Sequence, residues 1–195
     1  MAELFKKYGY APEKEAIARH LELIASGLEQ VVSNEVLKEC FSIMDLTLEL
    51  RDKYYPKAKV SVLSNATKTW RKGVFEALRK VDNPILKLDA ATDAQAQLVN
   101  QPLGDYHVED IVRDLEKFEG NFVLQTMFLK GDGFATEDWV DGWMDLVRRL
   151  KPREVMVYTI DRETPMKGLR KYTVEEMRAL VQPLIDEGYK LQIKG

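Results

Sequence analysis

The stretch Val60-Ser-Val-Leu-Ser-Asn-Ala-Thr-Lys-Thr-Trp-Arg-Lys-Gly-Val-Phe-Glu-Ala-Leu-Arg-Lys-Val-Asp-Asn-Pro-Ile-Leu-Lys-Leu-Asp-Ala90 decides the fold. It opens on a short apolar run, Val60–Asn65, that breaks into polar residues at its C-terminal end. Thr69 to Lys80 then carries Val74, Leu78 and Val81 at helical spacing, and Asn83-Pro84 turns the chain into a second apolar run, Ile85–Ala90. Strand, helix and strand in so short a span form a βα unit, whose strands lie parallel and need helices to cover them. The pattern recurs at Phe122–Met127 and Val155–Ile160, each followed by a helical pattern. In folds of this kind ligands bind where the strands end. The candidate site residues are therefore Ser64, Asn65 and Thr67, then Lys87 and Asp89, then Gln125 and Thr126, then Tyr158, Thr159, Asp161 and Arg162.

Outward from this core, residues 11–26 place Ile17, Leu21 and Ile24 on one helical face, with Pro12 in the first turn and Gly27 as a stop. Leu28–Val32 can form a short strand. Val36–Lys53 reads as a helix with Leu37, Phe41, Met44 and Leu48 inward, ended by Tyr54-Tyr55-Pro56 because the residue before proline avoids the helical region. Downstream, Ala91–Tyr106 is the longest segment without clear periodicity. It contains Thr92, Asp93, Gln95, Asn100 and Gln101, and is expected to be a ligand-contacting connection. Helices follow over 108–118 and 137–150, the second with Thr136 as N-cap. Thr173-Val-Glu-Glu176 is a capping box opening a last helix, kinked at Pro183 and closed by Glu187-Gly188, and Tyr189–Ile193 adds an edge strand.

This order starts on a helix, whereas a chain of βα units starts on a strand. The expectation is a single α/β domain over 1–195, with 1–10 as an N-terminal arm and 11–195 as an incomplete βα barrel lacking its first unit. The exposed edge would be covered by Leu28–Val32, by Leu4, Phe5, Tyr8 and Tyr10 of the arm, or by another chain.

Composition narrows the function classes. The 195 residues suffice for one sizeable core, and 45% hydrophobic content is ordinary for a globular protein. The net charge of −3 comes from 29 basic and 32 acidic residues mixed along the chain, which leaves no basic stripe for nucleic acid. No apolar stretch approaches the ~18–20 residues that cross a bilayer, and Met1-Ala-Glu-Leu-Phe-Lys-Lys has no signal-peptide core, so a cytoplasmic location without membrane partners is expected. Cys40 is the only cysteine, which excludes an internal disulfide and any thiolate cluster made by one chain alone. Its place in a predicted helix suits a buried apolar role. His20 and His107 have no ligand-like spacing, so no metal site is expected.

Val60–Thr67, Ile85–Ala90, Gln125-Thr-Met-Phe-Leu-Lys-Gly131 and Tyr158-Thr-Ile-Asp-Arg-Glu-Thr-Pro165, in this order, resemble the later strands of radical S-adenosylmethionine enzymes, in particular the iron–sulphur oxidoreductase branch. The resemblance covers Leu46–Gly195, about three quarters of the chain. It implies a partial (β/α) barrel with S-adenosylmethionine near Asn65, Lys87, Asp89 and Gln125, and a substrate pocket near Thr67, Tyr158, Asp161 and Arg162. Two departures stand out. The Cys-x-x-x-Cys-x-x-Cys loop that holds a [4Fe–4S] cluster in such enzymes is absent, and Ser33–Cys40 keeps only Glu35 of the family's Gly-Glu-Pro motif. The resemblance thus implies a degenerate or truncated member unable to cleave S-adenosylmethionine alone. The alternatives are a non-catalytic binding domain for a nucleotide-like small molecule, or a scaffold whose open barrel edge is covered by a partner or a second copy.

The residues also admit plainer readings. Lys87 and Asp89 share one side of a strand, as an internal pair or as a ligand site. Asn65 and Thr67 suit a helix-capping turn as well as a site. Gln125 and Thr126 face opposite ways, and Gln125, on the side of Val123 and Met127, is the one expected in the cavity. Asp161 and Arg162 suit a loop-fixing ion pair. Gly131-Asp-Gly133 lacks the residues of a phosphate loop, and Trp139 and Trp143, at i and i+4, suit packing.

Overall fold

A computed structural model of the chain describes residues 34–161, 164 and 166–195. The expected arm, the helix over 11–26, the strand Leu28–Val32 and Arg162 lie outside the described residues. Contacts group the chain into Met1–Ser42 and Ile43–Gly195. Of the first unit, the described part is helical from Asn34. The second unit holds the sheet and the helices that cover it.

Helix α1 (Asn34–Tyr54) ends where Tyr54-Tyr55-Pro56 was expected to stop it. Arg51 pairs with Asp82 at 2.5 Å and Lys80 with Asp45 at 2.8 Å. The Val60 N–H and Arg51 hold the Asp82 carboxyl below its ordinary range.

The remaining elements run β1 (Ser61–Ser64), α2 (Lys72–Lys80), β2 (Asn83–Lys87), α3 (Asp93–Val99), α4 (Val108–Glu116), β3 (Val123–Met127), α5 (Glu137–Leu150), β4 (Glu154–Tyr158), α6 (Val174–Leu180), α7 (Gln182–Asp186) and β5 (Leu191–Lys194). The five strands form one parallel sheet in sequence order. Each return to a neighbouring parallel strand needs a crossover, and the helices provide it while burying the sheet.

Alternation along the strands sorts the two faces. Leu86 and Leu88, Leu124 and Thr126, and Val155 and Val157 are buried and share one face, in a core with Leu78, Val112, Leu115, Trp143, Val147, Met177 and Leu184. Full burial of an apolar side chain of this size contributes about 1.5–3 kcal/mol. The other face carries Ile85, Lys87, Gln125, Met156 and Tyr158, each only partly buried, as the inside of an open barrel would.

Three expectations about the helices are refined. Ala91–Tyr106 is not wholly irregular: α3 lies inside it, opened by a reciprocal capping box between Thr92 and Gln95. With seven residues and Ala96 as its buried position, it is too short to carry a visible period. Pro183 does more than kink the last helix, which breaks at Val181 into α6 and α7. Thr136 does occupy the N-cap of α5, but its side chain makes no capping bond, whereas the Thr173–Glu176 box forms as expected.

Asp93 joins the start of α3 to the start of α4, because its Oδ1 accepts the Val108 N–H at 2.7 Å and its Oδ2 lies 2.8 Å from His107 Nδ1. The bond to Asp93 raises His107 above its ordinary value, and the same bond lowers Asp93. The histidine's share of this tie is fully present below the ordinary histidine range and is lost as pH rises through the raised His107 value, while the carboxylate's share is lost as pH falls through the lowered Asp93 value. In an NMR titration His107 should titrate above about 6.5 and fall toward that value in Asp93→Asn. Equal values in the two proteins would contradict the assignment.

Candidate functional site

The register sets the candidate residues side by side. Lys87 is opposite Gln125, Gln125 opposite Met156, and Met156 opposite Gln192, which makes one row across the inner face. Met127, Tyr158 and Lys194 form the next row toward the C-terminal ends, with Asp89 two residues beyond Lys87 on the same side. Period-two alternation makes this convergence obligatory once the strands are parallel and in this register.

Asp89 is the centre of the arrangement. None of its side chain reaches solvent, while Lys87 keeps 28% of its own exposed. The Met127 N–H donates to Asp89 Oδ1 at 2.9 Å, tying β2 to β3 past the end of the ladder. Asp89 Oδ2 lies 2.9 Å from Lys87 Nζ, an ion-pair distance, yet receives no well-directed hydrogen bond. Burial pushes the Asp89 carboxyl above its ordinary value, and Lys87, the Met127 N–H and the Asn100 amide offset this only in part. Burial also weakens the Lys87 ammonium, but Asp89 and the Tyr158 hydroxyl outweigh it and hold Lys87 protonated. Tyr158 is raised chiefly by burial, against the pull of Lys87. The result is a half-buried cation that reaches a buried carboxyl on one side and a phenol on the other.

The other candidates are spread between the inner face, the helix-facing side and the surface. Asn65 is one residue past the last β1–β2 pair, Ser64↔Leu86, and is exposed. Its Oδ1 accepts from the Thr67 N–H at 3.2 Å and the Thr67 hydroxyl at 2.8 Å, so the expected turn exists, but helix α2 is capped at Arg71 without a side-chain bond. Gln125 faces the inner side, as expected. Thr126 faces the helices, where its hydroxyl donates to the Leu88 carbonyl at 2.8 Å and accepts from Trp143 Nε1 at 2.9 Å. Thr159 is buried and accepts the Tyr172 N–H. Asp161 is exposed and pairs with Lys171 at 3.1 Å. Its expected pairing with Arg162 falls on a residue outside the described ones.

Several participants escaped the sequence reading. Trp139 and Trp143 pack as expected, but their indole N–H groups also reach the strand ends. Lys130 pairs with Glu176 and sits 5.4 Å from the Tyr172 ring centroid. Lys130 and Glu176 are far apart in sequence, and nothing in either segment signals the partner. Asn100, already named within the connection after β2, approaches Asp89.

Against known proteins, no family model matches the chain. A domain of pyruvate-formate lyase-activating enzyme from Bacteroides vulgatus superimposes with a TM-score of 0.56 at 14% identity, over 80% of this chain and 93% of that one. Streptococcus suis SuiB superimposes with a TM-score of 0.58 at 17% identity, over 80% of this chain and 36% of SuiB. The chain has the fold of the radical S-adenosylmethionine enzymes. SuiB structures bound to S-adenosylmethionine and to the precursor peptide SuiA match equally well, each with a TM-score of 0.58. In sequence, 110 residues are 30% identical to UPF0026 protein slr1464 of Synechocystis, covering 54% of this chain and 40% of that relative. The chain thus spans well under half the length of the curated relative it matches. No helix among the described residues is long and apolar enough to cross a membrane.

Lys87→Met would leave the Asp89 carboxylate buried without its counter-charge. The expected cost is about 2 kcal/mol, below the ~3–5 of fully buried pairs because Lys87 is partly solvated. Since burial raises Asp89, its charged form is the costly one. The deficit should be largest above the raised Asp89 value and shrink as the carboxyl is protonated toward the ordinary range. Urea unfolding at about pH 8 and about pH 4 measures this; an equal deficit at both would contradict it.

Proposed function

We propose that this chain is the ligand-binding portion of a radical S-adenosylmethionine-like protein, and that its strand-end site takes S-adenosylmethionine or a closely similar molecule joining a nucleoside to an amino acid. The observation that carries this reading is the Asp89 Oδ2 atom, buried beside Lys87 yet without a well-directed donor. A carboxylate oxygen carries about two lone-pair sites, so beside the Lys87 ammonium Oδ2 keeps acceptor capacity for a ligand hydroxyl or ammonium. S-adenosylmethionine carries both kinds of donor. Its carboxylate and ring nitrogens would in turn find donors in Lys87 and Gln125, while Met127, Met156 and Tyr158 supply soft and aromatic surface.

The [4Fe–4S] cluster of the family does not fit these residues. Cys40 is the only thiol in 195 residues, and among those described no group of three His, Cys, Asp or Glu side chains is placed for a metal. At least two of the three thiolates would have to come from outside this sequence. On its own the chain binds and orients: Asp89 and Lys87 fix the polar part of the ligand, Tyr158 bounds the far side, and Asn100 and Tyr106, in the connection between α3 and α4, lie near Asp89. Reductive cleavage is not among the things these side chains do alone.

Isothermal calorimetry tests the reading. S-adenosylmethionine should bind with a Kd of about 1–100 μM, weakened roughly tenfold in Asp89→Asn, which keeps the side-chain volume and loses the charge. Absence of heat with the wild-type chain, or equal affinity in Asp89→Asn, would overturn it.

A further inference from the structure

The end of β2 is held from behind by two indoles. Past Lys87, the Leu88 N–H still donates to the Gln125 carbonyl at 3.0 Å. The Leu88 carbonyl accepts from the Thr126 hydroxyl at 2.8 Å and from Trp143 Nε1 at 3.2 Å, whereas the Asp89 carbonyl accepts from Trp139 Nε1 at 3.1 Å. Trp139 and Trp143 are one helical turn apart on α5, so their N–H groups meet successive carbonyls of the strand. Both rings are buried, Trp143 fully and Trp139 with 4% exposed. Asp89 is thus gripped from two sides, its carbonyl by Trp139 and its carboxyl by the Met127 N–H and Lys87.

The geometry points to Trp139 as a positioning residue that fixes the backbone of Asp89, and through it the orientation and dryness of the carboxyl presented to a ligand. Trp143 plays a different part. It holds Leu88, whose carbonyl keeps a second donor in Thr126, and its ring packs edge-on against Phe128 at 5.2 Å. Removing the Trp143 N–H leaves no carbonyl orphaned. Removing that of Trp139 deprives the Asp89 carbonyl of this donor in a buried setting, which favours movement toward water. Both indoles are large and buried, so a role in packing alone predicts that losing Trp143 is at least as disruptive.

That contrast provides the test. In Trp139→Phe the Asp89 carboxyl, followed by carbon-13 NMR, should titrate closer to the ordinary carboxylate value than in the wild type. S-adenosylmethionine affinity should fall about fivefold, the effect of one hydrogen bond. Trp143→Phe should lower the melting temperature at least as much, yet leave the Asp89 titration where it is. If Trp139→Phe is too unstable to titrate, benzothienylalanine at position 139 keeps the shape, lacks the N–H, and should give the same shift. An unmoved Asp89 titration without the Trp139 N–H, or an equal shift in Trp143→Phe, would overturn the inference. The affinity arm rests on the proposed ligand, but the titration arm does not. A wild-type chain that binds no S-adenosylmethionine would sink the ligand reading and leave Trp139 to be judged by the titration.

Discussion

A carboxyl group with no surface in water, tied across two strands by one backbone N–H, is the interaction on which the rest of this molecule turns. Asp89 can lie there only because β2 and β3 are parallel and in a register that brings the Met127 N–H to its Oδ1. The cost of burying that group is large, and Lys87 with its partly solvated ammonium offsets only part of it. Replacing a buried ion pair by well-packed apolar residues of similar volume is often neutral or stabilising. The core behind the sheet is rich in Leu, Val and Trp, and Asp89 stands out against it.

The parallel sheet sets this local arrangement among the other candidate residues. Side chains alternate strictly along each strand, so the helix-facing rows, including Thr126, serve packing, and the inner rows, including Lys87, Gln125, Met156 and Tyr158, converge. The helices do more than cover the sheet. Trp139 and Trp143 reach through the packed layer to the carbonyls at the end of β2, so the position of the acid depends on α5, some fifty residues further along the chain.

Legibility in the sequence depended on distance along the chain. The four apolar runs announced β1 to β4; β2 to β4 are largely buried, where parallel strands need continuous apolar residues, whereas β1 is half-exposed, and Tyr189–Ile193 overlaps β5. The shared side of Lys87 and Asp89, and the choice of Gln125 over Thr126, follow from a period of two and needed no coordinates. Short range did not always suffice: α3 stayed hidden because its seven residues bury only Ala96, although the Thr92 and Gln95 of its capping box were both in view. Long-range partners were illegible in principle. The pairing of Lys130 with Glu176 and of the Trp139 indole with the Asp89 carbonyl depends on how separate units dock. The fold likeness to SuiB and to the pyruvate-formate lyase-activating enzyme domain agrees with the motif-level resemblance, at identities that speak to architecture rather than chemistry.

The central claim is that the C-terminal rims of β1 to β4 form one binding surface centred on Asp89. Amide chemical-shift mapping with S-adenosylmethionine added to the nitrogen-15-labelled chain tests it most directly. The account predicts the largest shifts at Asn65–Thr67, Lys87–Ala90, Gln125–Phe128 and Tyr158–Asp161, with the opposite rim around Asp82, Asn121 and Arg153 unmoved. Shifts centred on that opposite rim, or scattered over the helices, would contradict it.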